Sequence, residues 1–439
     1  MRRTAKRFLK VCLNGRYVGV WSKLKSGGVT FQYADNWLNW DRAIPISQSM
    51  PLQEKPYSGD VVSRYFANLL PDSSVILRKI AERVGAAGQD AHSLLTEIGR
   101  DCVGALQFLP IDADIPKLTP AQGRKLKPKD IYHTLVNLER APLGIEAEGG
   151  FRISLAGAQE KAAFLKIDND WYAPEGLSPT THIFKPAIGT LRWETGPVDM
   201  SDSVENEFYC LRLLKAFGVE TAKVDIQTFE GQKVLIVERF DRIRRQDGVI
   251  LRRPQEDMCQ ALGFSPSQKY QNMGGPRLVN ILKFLSASET PYEDQHTVFK
   301  CQILFWLMGA IDGHAKNFSL FLAPNDGFQL TPLYDVMSAE MALQGNQIRH
   351  KDYKLAMPLG RRNHYKIKNI HGRHFVETAL EAELSEGFAQ DAIRTVQDNF
   401  DAAFENALQD LPENFPLYIH ETIKAAAQAR LPLLKTAFE

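Results

Sequence analysis

The chain has 439 residues, 44% hydrophobic and 24% charged, with 53 basic against 52 acidic side chains and a formal net charge of +1. That composition supports two or three packed cores and excludes a disordered chain, and the near-neutral balance excludes global attraction to nucleic acid or a membrane. Five scattered cysteines (Cys12, Cys102, Cys210, Cys259, Cys301) form no Cys-x-x-Cys pair and read as reduced thiols of a cytoplasmic protein.

Short strands around tight turns open the chain: residues 8–13, the Asn14-Gly15 turn, 17–21, Gly27-Gly28, then 29–33. The basic residues before them are followed by too few apolar positions for a signal peptide. Helical patterns follow at 60–70, 73–84 and 91–98, then a glycine-flanked apolar strand at 99–106. Gly99-Arg100-Asp101 reads as a turn with a satisfied ion pair, since buried charges are usually paired. Residues 111–149, rich in Pro, Lys and Asp, mark a change of composition.

Residues 151–154 pattern as a strand, 155–160 (Leu-Ala-Gly-Ala-Gln-Glu) as a small-residue turn, and 161–167 as the returning strand. Small residues let backbone amides approach phosphates, so Ser154, Ala156, Gly157, Ala158, Gln159 and Lys161 form a candidate phosphate loop; an ordinary hairpin is the alternative. Lys185 ends the β-patterned run Thr181-His182-Ile183-Phe184, where a kinase keeps the lysine that neutralises nucleotide phosphates; a strand-end surface lysine is the alternative. Asp202 and Glu205 mark a helix start, with Val204, Phe208, Leu211 and Leu214 on its apolar face and Gly218 as its stop. Glu207 lies toward that face and needs a partner, for which Lys185 is the candidate. Residues 224–229 and 233–237 make a hairpin around Gly231 that ends in Glu238-Arg239-Phe240-Asp241, where the backbone of a hinge would read adenine. Beyond Arg253 the patterns are helical, at 254–260, 276–285, 376–384, 389–403 and 419–438.

The chemistry concentrates in residues 311–335. A long apolar helix (Val298, Phe299, Ile303, Leu304, Trp306, Leu307) runs into a loop holding Asp312, His314, Lys316 and Asn317. A strand follows, Asn325-Asp326-Gly327 makes the turn, and the return ends on Tyr334-Asp335, so Asn317 and Asp335 should be neighbours. Phosphoryl transfer requires an acceptor for the hydroxyl proton, oxygen ligands for magnesium and a cation against the developing charge. Asp312 and Asn317 have the spacing of a kinase base and metal ligand, Asp335 sits where the second metal carboxylate belongs, and Lys316 and His314 complete the catalytic loop. His-Arg-Asp and Asp-Phe-Gly are both missing here, which excludes an ordinary protein kinase.

Together, Ile153-Ser154-Leu155-Ala156-Gly157-Ala158-Gln159-Glu160-Lys161, Thr181-His182-Ile183-Phe184-Lys185, Val237-Glu238-Arg239-Phe240-Asp241-Arg242, Pro254-Gln255-Glu256-Asp257, Asp312-Gly313-His314-Ala315-Lys316-Asn317 and Tyr334-Asp335 resemble the HipA family of toxin kinases. Asn68-Leu69-Leu70-Pro71-Asp72 and residues 98–105 extend the likeness through the N-terminal module.

The resemblance implies an α+β, protein-kinase-like two-lobed fold, with a β-rich N-terminal part and a mainly α-helical C-terminal part. Residues 1–145 would form the first subdomain, 146–250 a nucleotide-covering β subdomain and 251–439 the helical catalytic domain. It further implies a bacterial serine/threonine kinase of a type II toxin–antitoxin system that uses ATP and Mg2+. Family members phosphorylate an aminoacyl-tRNA synthetase, which arrests translation and growth and favours persistence, and they phosphorylate a serine of their own phosphate loop, here Ser154. A small helix-turn-helix antitoxin of the HipB type and operator DNA are the implied partners. Lys366, Lys368 and Arg373 lie in a local basic segment suited to DNA phosphates, and a solvated surface explains that segment equally well. A small-molecule kinase of similar architecture and a non-catalytic corepressor are the alternatives.

Overall fold

Strand Phe8–Leu13 turns at Asn14-Gly15 into Arg16–Lys23 and then Val29–Tyr33 in the computed structural model, which describes residues 7–145, 153–157, 159–193 and 196–439. Two compact units make up the chain. The first draws its described residues from 1–186, Gln227–Ser267 and Leu320–Phe328; the second comprises Ala187–Ile226, Gln268–Ser319 and Gln329–Glu439.

In the first unit the three opening strands join Tyr57–Ser58 at one edge and Leu106–Pro110 at the other, all antiparallel. Leu9, Val11, Val18, Trp21 and Phe31 turn one face inward, and helix Asp60–Ala67 covers it with Phe66, whose ring stacks on Trp21 at 3.9 Å. A second sheet carries Gln232–Glu238, His182–Pro186, Ala162–Ile167, Asp170–Pro174 and Gly123–Lys125 in that order. Phe184 is its buried centre, edge-on to Phe164 and Trp171, both at 4.8 Å.

The second unit is mainly helical, with Ser203–Ala216, Leu278–Leu285, Pro291–Met308, Gly372–Glu381, Glu386–Asp398, Phe400–Ala407 and Tyr418–Arg430. Pro291–Met308 is its axis, buried almost without interruption from Val298 onward. Among the described residues no helix is long and apolar enough to cross a membrane. The five cysteines are all buried and none is joined in a disulfide.

Several local expectations are corrected. The strand expected at 99–106 begins only at Leu106, because residues 99–105 are held as turns by a buried charge network described below. Ile153 makes one isolated bridge to Asp101 instead of a strand; Phe151 and Arg152 lie outside the described residues. The helix expected from 254 is a strand at Gln255–Asp257 followed by Met258–Ala261. Asp257 accepts from Gln260 N while Gln260 accepts from Asp257 N, both at 2.9 Å, and a capping box of this kind makes Asp257 the cap, so the helix starts after it. The expected helix 389–403 is two, Glu386–Asp398 and Phe400–Ala407, joined at Asn399. That at 419–438 ends at Arg430, two residues before Pro432, and tightens into a 3-10 helix over Leu431–Ala437. Hairpins at Gly189–Trp193 with Gly196–Met200, and at Lys354–Leu359 with His364–Lys366, were not expected.

Glu256 illustrates how the first unit ties loop to strand. Its carboxyl is fully buried, accepts from Gln48 N at 2.7 Å and lies 2.5 Å from Ser47 Oγ. Burial pushes that carboxyl up to about 8, above the usual carboxylate range. The folded state therefore holds a proton that the unfolded chain releases near pH 4.3. This contribution to stability is full below about pH 4.3 and is lost as pH rises through about 8. Glu256→Gln is expected to flatten the fall in urea midpoint between about pH 5 and 8; an unchanged slope would show that another group is responsible.

Candidate active site

The loop at 311–317 owes its position to the end of helix Pro291–Met308. Gly309 caps that helix in the left-handed region at φ 67°, and a Cβ there would sit 1.8 Å from Tyr353 Oη and 2.5 Å from Glu340 Oε1. Those atoms belong to a buried cluster in which Tyr353 Oη donates to Glu340 at 2.5 Å and Arg430 pairs with the same carboxylate at 2.5 Å. Only glycine fits, so the chain leaves the helix at a fixed point three residues before Asp312. The exit is stapled again by Ala339 N to Gly309 O (2.9 Å), Ser338 Oγ to Met308 O (2.6 Å) and Ala356 N to Ile311 O (2.9 Å).

Asp312 is exposed, while His314, Lys316 and Asn317 are buried. Residues 315–317 form a 3-10 turn in which the Asn317 side-chain oxygen accepts from His314 N at 3.1 Å. That bond fixes the amide orientation and sends Nδ2 toward Asp335, donating to its carbonyl at 3.2 Å and its Oδ2 at 3.4 Å. Asp335 is held at φ 60°, a left-handed conformation that costs a non-glycine residue energy and marks a locally constrained position. The expected neighbourhood of Asn317 and Asp335 is present. Ala323 N bonds to Gly327 O across a turn with Asn325 and Asp326 at φ 59° and 58°, and Thr331 N bonds to Ser319 O.

Two features of this loop had no local sequence signal. Tyr334 Oη contacts Ser319 Oγ at 2.5 Å and donates to Lys316 O at 2.8 Å, bracing the turn from the return strand. Tyr270 Oη donates to Asp312 Oδ1 at 2.6 Å, and its ring meets the His314 ring at 5.0 Å and 80°. A tyrosine 42 residues upstream leaves no spacing to read.

The other candidates lie mostly in the first unit. Ser154 is fully buried, its N–H donating to Asp101 O at 3.0 Å and its hydroxyl to Leu69 O at 2.6 Å. Gly157 adopts φ 104° and its carbonyl accepts from Asp72 N; Lys161 Nζ turns back onto Ala156 O at 2.6 Å, closing the loop. Gln159 donates to Pro186 O at 3.1 Å, and Ala158 lies outside the described residues. Lys185 is buried in strand His182–Pro186, opposite Leu235. Glu238 ends its strand exposed, opposite His182; Arg239 N bonds to Thr181 O, and Phe240 packs edge-on against Phe321 at 5.7 Å. Glu207 is buried in the helix Ser203–Ala216 of the second unit. Lys368 and Arg373 are exposed and Lys366 is half-buried, at the end of the hairpin that closes at His364–Lys366.

Around the end of strand Gln232–Glu238, Asp101, Arg239, Asp241, Arg242 and Arg252 form a buried ion network. Asp101 accepts from Thr180 N (2.9 Å), Thr180 Oγ1 (2.7 Å), Arg242 (3.0 Å) and Arg252 (3.2 Å); Asp241 accepts from Arg239 and from Gly104 N, both at 2.8 Å. The Arg239 side chain is thus wholly engaged behind the strand end.

A family model described as the HipA-like C-terminal domain matches residues 153–404, and one described as the HipA N-terminal domain matches 9–109. The chain belongs to the HipA family. A putative kinase of Sinorhizobium fredii is 34% identical to this HipA-family chain over 362 residues, 81% of each. The serine/threonine-protein kinase toxin HipA of Shewanella oneidensis is 33% identical over 317 residues, 69% of each. Among solved structures, a chain of the Shewanella oneidensis toxin–antitoxin complex of HipA, HipB and operator DNA matches with a TM-score of 0.79 at 25% identity, covering 98% of this chain and 99% of that one. The HipA fold here is accordingly α+β and kinase-like.

The Asp335 carboxylate and the Asn317 amide oxygen are hard donors of the kind magnesium takes, with Asn317 turning Nδ2 rather than Oδ1 toward Asp335 in this structure. Among the described residues no three His, Cys, Asp or Glu side chains gather into a metal cage.

Proposed function

We propose that this chain is the toxin of a HipA/HipB-type system, an ATP- and magnesium-dependent serine/threonine kinase. The observation that carries the reading is the meeting of Asn317 and Asp335, 18 residues apart, beside a loop that presents Asp312 to solvent. Asp312 takes the proton of the acceptor hydroxyl as its oxygen attacks the γ-phosphorus and the bond to ADP breaks. Asn317 and Asp335 would hold magnesium, which would supply charge neutralisation at the phosphates; the Asn317 amide would first have to turn its oxygen, now accepting from His314 N, toward Asp335. Lys316 and His314 line the loop; Lys185 binds phosphate, and Glu207 belongs to the same set of nucleotide-site residues; residues 154–161 cover the nucleotide; the backbones of Glu238 and Phe240, on either side of Arg239, read adenine. Residues 1–145, 146–250 and 251–439 act as first subdomain, nucleotide cover and catalytic domain.

The substrate class is a protein hydroxyl, with an aminoacyl-tRNA synthetase in the cytoplasm as target and growth arrest as outcome. A HipB-like helix-turn-helix antitoxin and operator DNA are the partners, a reading supported by the composition of the Shewanella complex; Lys366, Lys368 and Arg373 face the DNA backbone. Intact-mass and phosphopeptide analysis after incubation with magnesium and ATP tests the kinase reading. One added phosphate on Ser154 supports it, and ATP binding with no transfer to the chain or to any protein acceptor sinks it.

The burial of Ser154 supports self-inactivation by its phosphorylation. Its hydroxyl donates to the Leu69 carbonyl with no exposed surface, so a dianionic phosphate does not fit the position the hydroxyl occupies. Phospho-Ser154 therefore holds the loop out of the nucleotide site. Ser154→Asp is expected to weaken ATP binding at least about 10-fold, whereas Ser154→Ala loses one hydrogen bond, about 1 kcal/mol of stability, and keeps ATP affinity. Calorimetric titration with ATP decides it: full affinity in Ser154→Asp overturns this account.

A further inference from the structure

An aspartate at an exposed turn has two freely rotating torsions, and a catalytic carboxylate must be held within narrow limits of its working geometry. Asp312 is such an exposed side chain, and the side chain that restrains it is Tyr270, through the 2.6 Å bond from Oη to Oδ1. We propose that Tyr270 is a positioning residue for phosphoryl transfer, which holds one carboxylate oxygen of Asp312 so that the other faces the acceptor hydroxyl. This rests on the reading of Asp312 as the base.

The phenol is aimed by three independent restraints within the second unit. Met273 N and Gly275 N both donate to Tyr270 O at 3.1 Å, closing residues 270–275 into a ring. Gly275 allows that closure, because a Cβ there would lie 1.8 Å from Gln268 O. Ala315 N donates to Lys269 O at 3.3 Å, which ties the residue before Tyr270 to the same 3-10 turn that carries Asn317. The His314 ring then meets the Tyr270 ring face to edge at 5.0 Å. A side chain placed by the catalytic loop itself, and donating to its aspartate, is arranged for orientation. An ionised carboxylate has about four lone-pair sites, so one bond from tyrosine leaves the second oxygen for substrate.

A hydrogen bond to a charged group contributes enough that its loss corresponds to about 10- to 100-fold in rate. The test measures ADP release by the full chain with magnesium and ATP, a readout that counts transfer to any acceptor. It compares wild type, Tyr270→Phe, Tyr270→Leu, Asp312→Asn and the double variant Tyr270→Phe/Asp312→Asn. The expected result is that Tyr270→Phe lowers kcat about 10- to 100-fold with KM for ATP unchanged, that Tyr270→Leu is no better, and that the double variant is no slower than Asp312→Asn. Wild-type kcat in Tyr270→Phe beside a slow Asp312→Asn overturns the role of Tyr270 and leaves the base reading standing. Wild-type kcat in Tyr270→Phe with loss only in Tyr270→Leu assigns the ring a packing role and also overturns it. Wild-type kcat in Asp312→Asn removes the base reading, and this proposal with it.

Discussion

Asp312→Asn is expected to slow phosphoryl transfer by at least about 100-fold, the scale of a lost general base, while ATP affinity stays within about 2-fold of wild type. Asparagine is nearly isosteric and still accepts the Tyr270 phenol through its side-chain oxygen, so the turn keeps its shape. What disappears is the carboxylate that receives the hydroxyl proton. Asp312 is exposed and makes no described ion pair, so the substitution strands no buried charge and the protein remains folded. The check is paired: kcat from ADP release and ATP affinity by calorimetry. A parallel loss of both would move Asp312 from proton acceptor to nucleotide ligand, and no loss of either would remove the loop from catalysis.

The second large effect is on stability. Asp101→Ala is expected to cost about 3–5 kcal/mol, as when one partner is deleted from a buried ion pair. It strands the donors of Arg242, Arg252 and Thr180 and leaves Asp241, paired with Arg239 and Arg242, as the remaining anion of a network with three guanidiniums. Asp101→Asn keeps an acceptor and should lose less. Burial alone would raise the Asp101 carboxyl, but Arg242, Arg239 and Arg252 with the Thr180 N–H hold it far below the usual carboxylate range. Asp241 is lowered as well, with Arg239 and Arg242 outweighing its burial. With folded-state values depressed, both contribute stability that is complete above about pH 3.9 and fades as pH falls below it. Urea unfolding of wild type, Asp101→Ala and Asp101→Asn at pH 7 and pH 4 checks both claims. A loss under 1 kcal/mol in Asp101→Ala would mean that relaxation and water replace the network.

The consequence reaches function through geometry. Asp101 O receives Ser154 N, while its carboxylate grips Arg242, next to residues 238–241 at the end of strand Gln232–Glu238. One buried residue thus fixes both the base of the loop that starts at Ser154 and the end of strand Gln232–Glu238. Softening it is expected to loosen both.

Much of the candidate site was legible because it is local. Asp312, Asn317 and Asp335 fall within one helix–loop–hairpin, where turn chemistry at Asn325-Asp326-Gly327 sets the register and returns Asp335 to Asn317. The opening strands and the helices at 60–67, 74–84 and 91–98 were legible for the same reason, since periodicity and caps are short-range signals. Short-range signals also misled: apolar character at 99–106 suggested a strand, yet Gly104 N goes to Asp241 and the carboxylate of Asp101 to distant arginines, so the backbone there turns. The stretch 254–260 looked helical until its own Asp257–Gln260 capping box delayed the start.

By itself the sequence determined most of the local elements, the family motifs and the order of the chemical groups along the chain, because each depends on neighbours a few residues apart. Only the tertiary structure decided which groups meet. Tyr270 reaches Asp312 across 42 residues, Arg242 reaches Asp101 across 141, and Ser154 reaches Leu69 across 85. Such pairings follow from how sheets and helices pack and from the need to satisfy every buried donor and charge. That constraint acts on the folded molecule as a whole and leaves no periodic trace in the sequence.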